Sequence, residues 1–313
     1  LLVSKRNLWL PTLLFMVTVG MFLIHFRLSD KRVRYFVISV LCLITVFDLF
    51  RFTGKFLPFT DPHYLYLETQ TTTYLKEHAG VERIMSLDSR ILPPNFTLQY
   101  GLQTVEGYDP LYFRRYGELI AASERNNPDI RPPFGFNRII TPHVLSPIIN
   151  LLGVKYVLSL TELTTPGFTK VFQEGETRVY ENSAALPRVF FVQRVIRVPE
   201  SDKQSAIDFL FDSQTDLRTE AVVEVTDSGL RESYASGSAV IQSYYPNLVS
   251  IKTVSKGEGF LVLTDTYYPT WKAHIITDAK TIQEVPIYRT NFNFRGIVVP
   301  SGEHIIEFTN SLF

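Results

Sequence analysis

Two uninterrupted apolar runs close to the N-terminus constrain this chain more than any other feature. The first covers Trp9–Phe26 and the second Tyr35–Phe50. Each approaches the roughly 20 residues that a helix needs to cross a hydrocarbon core. A soluble amphipathic helix needs a polar face, and neither run has one. A pair of buried core helices is the competing reading. Trp9, Tyr35 and the phenylalanines at the run ends suit the water–lipid interface. Asp48 and His25 fall near run ends, within reach of headgroups, so neither is read as a proton relay.

Charge supports a membrane and gives an orientation. Residues 1–55 hold eight basic side chains (Lys5, Arg6, Arg27, Lys31, Arg32, Arg34, Arg51, Lys55) against two acidic ones (Asp30, Asp48). Of the 31 basic and 31 acidic residues in the chain, 23 and 29 are left for the remainder. Such an acidic, aromatic-rich remainder has no electrostatic footprint for a phosphate backbone, so nucleic acid is not an expected partner. The linker Arg27–Arg34 carries four basic residues, against two on each outer flank. Basic loops stay in the cytoplasm. The expectation is a multi-pass protein of the cell membrane, with a transmembrane hairpin over residues 1–55 and everything after residue 55 extracytoplasmic. Cys42 is the single cysteine, so no disulfide forms within the chain. The sequence opens on Leu1 without a signal-peptide layout, and reads as a fragment of a longer protein.

From Phe56 the pattern changes to short runs punctuated by Pro, Gly and Asn. Residues 56–200 read as a mixed α/β segment. Helices are expected at His63–Ala79 (Asp61 as N-cap, Pro62 in the first turn, Gly80 as terminator), Leu111–Glu124 and Ser146–Leu152. Strands are expected at Glu82–Leu87, Gly153–Leu160 and Thr177–Glu181, and Asn127–Pro133 reads as a rigid connector. Residues 201–313 begin with a helix at Asp202–Asp212. Strands then follow at Glu220–Val225, Ser238–Tyr245, Leu248–Ser255, Phe260–Tyr267, Trp271–Ile276, Thr281–Tyr288, Phe292–Val299 and His304–Phe308. Turn signals at Pro246-Asn247, Lys256–Gly259 and Pro300–Gly302 separate several of them, which indicates a sandwich. The fold class expected is therefore α+β: two transmembrane helices, a mixed α/β segment, and a C-terminal antiparallel β-sandwich.

The scan for chemistry finds no Gly-rich phosphate loop, no Gly-x-Ser-x-Gly elbow and no His-Glu-x-x-His. Six histidines are scattered without ligand spacing, so neither a metal nor a cofactor is expected. Two clusters stand out. Val105–Tyr116 sets Glu106, Asp109, Arg114 and Arg115 among aromatics that include Tyr108, as a sugar or lipid-phosphate site would. It reads equally as a turn feeding a packed helix. In Thr264–Ala273, Trp271 suits stacking on a sugar, insertion at an interface, or the sandwich core.

Several segments together carry a resemblance: GLQTVEGYDPLYFRRYGEL, LLGVKYVLS, RVYENSAALPRVFFV, GFLVLTDTYYPTWKAHI and NFNFRGIVVPSGEHIIEF. The chain resembles the YfhO family of bacterial multispanning membrane proteins, departing from its pattern at Thr270, where Gly is typical, and after Phe308. The resemblance implies a glycosyltransferase of the GT-C type that takes sugar from a polyprenyl-phosphate donor and serves cell-envelope polymer acceptors. In such enzymes the catalytic carboxylate lies in a first external loop near the first helix. The present sequence has no counterpart of that loop, so no catalytic residue is assigned and the fragment alone is expected to be inactive. The lipid bilayer is the partner read from the sequence itself. Besides the transferase part, a non-catalytic membrane-anchored carbohydrate-binding or scaffolding protein and a self-contained enzyme in the outer domain remain as readings.

Overall fold

The computed structural model describes residues 2–57, 60–61, 64–135, 143–225, 229–278 and 281–310. The chain divides into two compact units, Leu1–Leu67 and Glu68–Phe313.

The first unit is a pair of helices, α1 (Leu2–Arg27) and α2 (Lys31–Phe56), in contact with each other. Both extend beyond the apolar runs. Asp30 ends the short connection by accepting a hydrogen bond from the Arg32 amide at 2.8 Å, which caps α2. Each helix has 26 residues, about 39 Å at 1.5 Å per residue, against a hydrocarbon core of about 30 Å. Three hydroxyls inside the runs are satisfied within their own helix. The hydroxyls of Thr12, Ser39 and Thr45 donate to carbonyls one turn back at 2.8–3.0 Å. Asp48, expected in a final turn, lies two turns before the end of α2 and pairs with Arg51 at 3.3 Å. Almost no apolar side chain of either helix is covered by protein: Phe22, Leu23, Phe36, Leu43 and Phe47 are all exposed. By length and composition both helices are able to cross a membrane.

The second unit is α+β, with helices α3 (Gln70–His78), α4 (Arg114–Arg125), α5 (Pro147–Leu151) and α6 (Lys203–Phe211). In a first sheet β1 (Arg83–Ser86) is flanked in parallel by the edge strand β2 (Gln103–Thr104) and the central strand β3 (Val154–Ser159). It continues antiparallel through β5 (Thr177–Asn182) to β4 (Phe168–Glu174). The second sheet, in spatial order, is β6 (Val189–Val192), β11 (Gly259–Leu263), β15 (Phe294–Val299), β14 (Tyr288–Thr290), β8 (Glu220–Glu224) and β7 (Arg194–Val198). The third is β13 (Thr281–Val285), β12 (Trp271–Asp278), β16 (Gly302–Asn310), β10 (Leu248–Ser255) and β9 (Gly237–Tyr245).

The second and third sheets make the sandwich. Val189, Phe191, Leu261, Leu263, Ile297 and Val299 meet Val249, Ile251, Ala273, Ile275, Ile306 and Phe308 between them. Strand alternation decides which side chains go inward. Phe191 needs unusually close backbone: a Cβ built on Gly259 would lie 2.6 Å from its ring. The opposite face of the six-stranded sheet offers Val192, Val222, Phe260 and Phe294 to a second core. That core contains Leu119 of α4, Ile148 of α5, Ile207 of α6, and Met85 and Val157 of the first sheet. The first sheet's other face packs on α3 through Leu75, Ile84, Tyr156, Leu158 and Val179.

Several local expectations change. The sandwich takes in β6 and β7, which precede residue 201, and β7 runs parallel to β8. The strand expected at Thr281–Tyr288 divides at Pro286: β13 stays in the third sheet while β14 joins the second. Pro286 has no N–H for a ladder, which suits a crossing between sheets. The helix expected from His63 begins only at Gln70, residues 64–69 being turn and irregular chain. It is capped reciprocally by Thr69 and Thr72, and Gly80 (φ +57°) follows its end. Pro62 and His63 lie outside the described residues. The helix expected from Leu111 begins at Arg114, because Asp109 and Pro110 hold the preceding residues in a turn.

Candidate functional site

The parallel pairing of β1 with β2 sets Arg83 beside Gln103. Beyond β2 the chain turns outward before entering α4, and this excursion forms one wall of a cleft. Thr104 Oγ1 accepts from the Glu106 amide at 3.2 Å. The Asn95 side chain clamps the Tyr108 backbone from both sides, donating to its carbonyl at 2.8 Å and accepting from its amide at 3.0 Å. Asp109 accepts from the Leu111 amide at 2.8 Å, an Asx turn. Tyr112 then points inward, donating to the Gly135 carbonyl. Tyr116, in the first turn of α4, donates to the Val105 carbonyl at 2.7 Å, and burial pushes its hydroxyl up to about 12. Thr266, just past β11, stands on the far side. The open cleft has a volume of about 520 Å³, within the range of small-ligand sites.

Beneath the cleft lies a buried charge network where the three sheets meet. Asp265 accepts from Arg83 at 3.1 Å, from Arg188, and from the Tyr244 hydroxyl at 3.0 Å. Arg83 directs its terminal nitrogens to the Leu152 carbonyl, the Thr264 hydroxyl and carbonyl, and Asp265. Arg188 directs its own to the Val81 carbonyl, Gln103 Oε1, Tyr244 and Asp265. Each terminal nitrogen has two hydrogens and two protein acceptors, so both are fully committed. Burial opposes ionisation of Asp265, but the charges of Arg188, Arg83 and Arg295 outweigh it and hold the carboxyl below its ordinary 3.8.

The residues singled out from sequence separate into three places. Glu106 and Asp109 line the cleft. Tyr108 stands beside it, 54% exposed. Arg114 turns away, donating to buried Glu118 at 3.0 Å, a carboxylate it shares with Lys203. Arg115 is bidentate to buried Glu224 at 2.7 and 3.0 Å and stacks on Phe292. The expected Glu106–Arg115 cluster is therefore two carboxylates at the cleft and two arginines tied elsewhere, since adjacent helical positions face different directions. Trp271 packs against the sandwich core with Arg295 stacked on it at 3.6 Å; it is not among the cleft-lining residues.

Sequence reading did not single out Arg83, Gln103, Tyr112, Tyr116 and Thr266; of these only Arg83 and Thr266 lie far along the chain from the Val105–Tyr116 cluster. The tight signal was local: Gln103–Tyr116 as a block supplies most of the wall. Among the described residues no group of three or more His, Cys, Asp or Glu is placed to hold a metal ion. Comparison of the chain with protein-family models, with curated proteins and with solved structures finds no match.

Proposed function

We propose that this chain is a membrane-anchored module whose extracytoplasmic domain holds a neutral, hydroxyl-rich ligand, a carbohydrate, in the cleft beside β2. The observation that carries this reading is the commitment of all four terminal nitrogens of Arg83 and Arg188, beneath the cleft, to protein acceptors. Phosphate recognition relies on charge-assisted N–H donors aimed at the ligand. A phosphate here meets the carboxylates of Glu106 and Asp109 instead. What the walls do offer suits sugar hydroxyls. Gln103 has its oxygen turned to Arg188, which leaves its amide nitrogen as donor. Thr104 and Thr266 accept on their hydroxyl oxygens from Glu106 and Asn293, so each keeps a hydroxyl hydrogen to give. Glu106 and Asp109 accept, and Tyr112, Phe113 and Tyr116 supply apolar surface.

The two apolar helices and the basic Arg27–Arg34 linker support the anchor and its orientation. The resemblance to the YfhO family supports a setting: a cell-envelope glycosyltransferase in which this domain presents the acceptor, while transfer from the polyprenyl-phosphate donor takes place in other parts of a longer protein. The carbohydrate-binding role is common to that setting and to a purely non-catalytic scaffold.

Titration calorimetry on the full chain in detergent tests the reading, with neutral gluco- and N-acetylglucosamine oligomers against the corresponding sugar phosphates. Binding of a neutral oligomer is expected to weaken roughly 3- to 10-fold in Asp109→Asn, the worth of one hydrogen bond. Asparagine keeps the oxygen that caps Leu111, so the melting temperature stays unchanged. Preference for the phosphates, or heat from neither series, refutes the proposal.

A further inference from the structure

The excursion that walls the cleft carries its apolar side chains on the outside. Leu111 is 85% exposed, more than any other large apolar side chain among the described residues, those of α1 and α2 included. Tyr108 is 54% exposed, Phe113 51%, and Tyr268, whose ring lies 5.0 Å from that of Phe113, 38%. The exposure is built in. Asn95 fixes Tyr108, Asp109 caps Leu111, and Tyr112, between Leu111 and Phe113, is anchored inward. A held loop therefore presents a leucine and aromatics outward, with the 77% exposed side chain of Arg114 next to them.

We infer that this loop docks into the surface of a lipid bilayer, with Leu111 as its deepest residue. Size argues against a protein partner. At about 200 Å² for a fully exposed large side chain, the four expose on the order of 450 Å², short of the roughly 800 Å² per partner of a stable interface. A bilayer demands no such area or shape match. Leucine with tyrosine, phenylalanine and a flanking arginine is the composition that enters the headgroup–acyl boundary. The tether adds effective concentration: residues 57–69 join α2 to α3 and span at most about 45 Å when fully extended. Because Leu111 and Phe113 also line the cleft, docking sets its mouth at headgroup level, whatever the cleft holds. The inference rests on α1 and α2 being in the membrane, and the test separates the two.

The full chain, reconstituted in liposomes of neutral and anionic phospholipid, is spin-labelled singly and its collisions with oxygen and with a water-soluble nickel chelate are compared. A label on native Cys42, exposed on α2, reports whether the helices are embedded. In a Cys42→Ser background, Leu111→Cys is compared with Gln283→Cys, an exposed site on β13. The expected result is an oxygen-to-chelate collision ratio at position 111 several-fold above that at 283. Equal ratios at 111 and 283, with Cys42 embedded, overturn the docking. Shielding of position 111 from both reagents also overturns it, since that marks a protein contact. A water-exposed label at Cys42 overturns the membrane reading itself.

Discussion

Replacing Asp265 by asparagine tests whether the junction of the three sheets is as dry as its geometry implies. The side chains of Asp265, Arg188 and Arg83 are 8%, 1% and 12% exposed. Asparagine keeps the volume and one acceptor but strands two buried guanidinium charges. Removing one partner of a buried ion pair costs about 3–5 kcal/mol. In a domain of this size each kcal/mol moves the melting temperature by about 2–4 °C, so the fall is roughly 6–20 °C. Adding Arg188→Met removes one stranded charge, and the double variant is expected to be more stable than the two single costs summed. Near-UV circular dichroism of the chain melting in detergent reads both. The pH dependence has a definite sign. Asp265 titrates below 3.8 when folded, so its contribution is full above that pH and is lost as pH falls through the depressed value. Asp265→Asn lacks this acid limb. A cost within about 1 kcal/mol of zero, or strict additivity in the double variant, refutes the dry-network argument.

Gly296→Ala should destabilise the sandwich by about 1–3 kcal/mol, since its Cβ would lie 2.6 Å from the Phe260 ring; an unchanged melting temperature shows that the sheet yields there. In a Cys42→Ser background, Ser29→Cys should resist an impermeant thiol reagent on intact cells while Lys256→Cys, exposed beside β10, is labelled. The reverse pattern inverts the orientation.

What could be read from the sequence depended on how local the cause is. The apolar runs announce α1 and α2 because hydropathy alone decides them. The turn at Pro246-Asn247 places β9 and β10 closely, since a hairpin is fixed by its own few residues, and the one at Pro300–Gly302 marks where the chain leaves β15 for β16 in the facing sheet. Strands β6 and β7 escaped. Phe190 and Val192 face one core and Val189 and Phe191 the other, so the run is apolar throughout and shows no alternation. β4 escaped for the opposite reason: it is an edge strand with mostly half-exposed side chains.

The site shows the same division more sharply. Asp109-Pro110 announces a turn, and its acidic and aromatic neighbours do line a cleft. Arg114 and Arg115 looked like part of the same cluster because they are adjacent in sequence. Yet on a helix, consecutive residues diverge by about 100°, which sends one to Glu118 and the other to Glu224. The groups that decide the chemistry are joined only by the fold. Arg188 and Asp265 are 77 positions apart, Arg83 and Asp265 are 182 apart, and three sheets must assemble before they meet. It is that meeting which consumes the terminal donors of Arg83 and Arg188 and, on the proposed reading, turns a segment that reads like an anion site into one suited to hydroxyls. On the proposed reading the selectivity of the cleft is a tertiary property: a change at Asp265, beneath the cleft, is expected to free one of the four terminal hydrogen bonds of Arg83 and shift preference toward sugar phosphates, while the residues at the mouth stay the same.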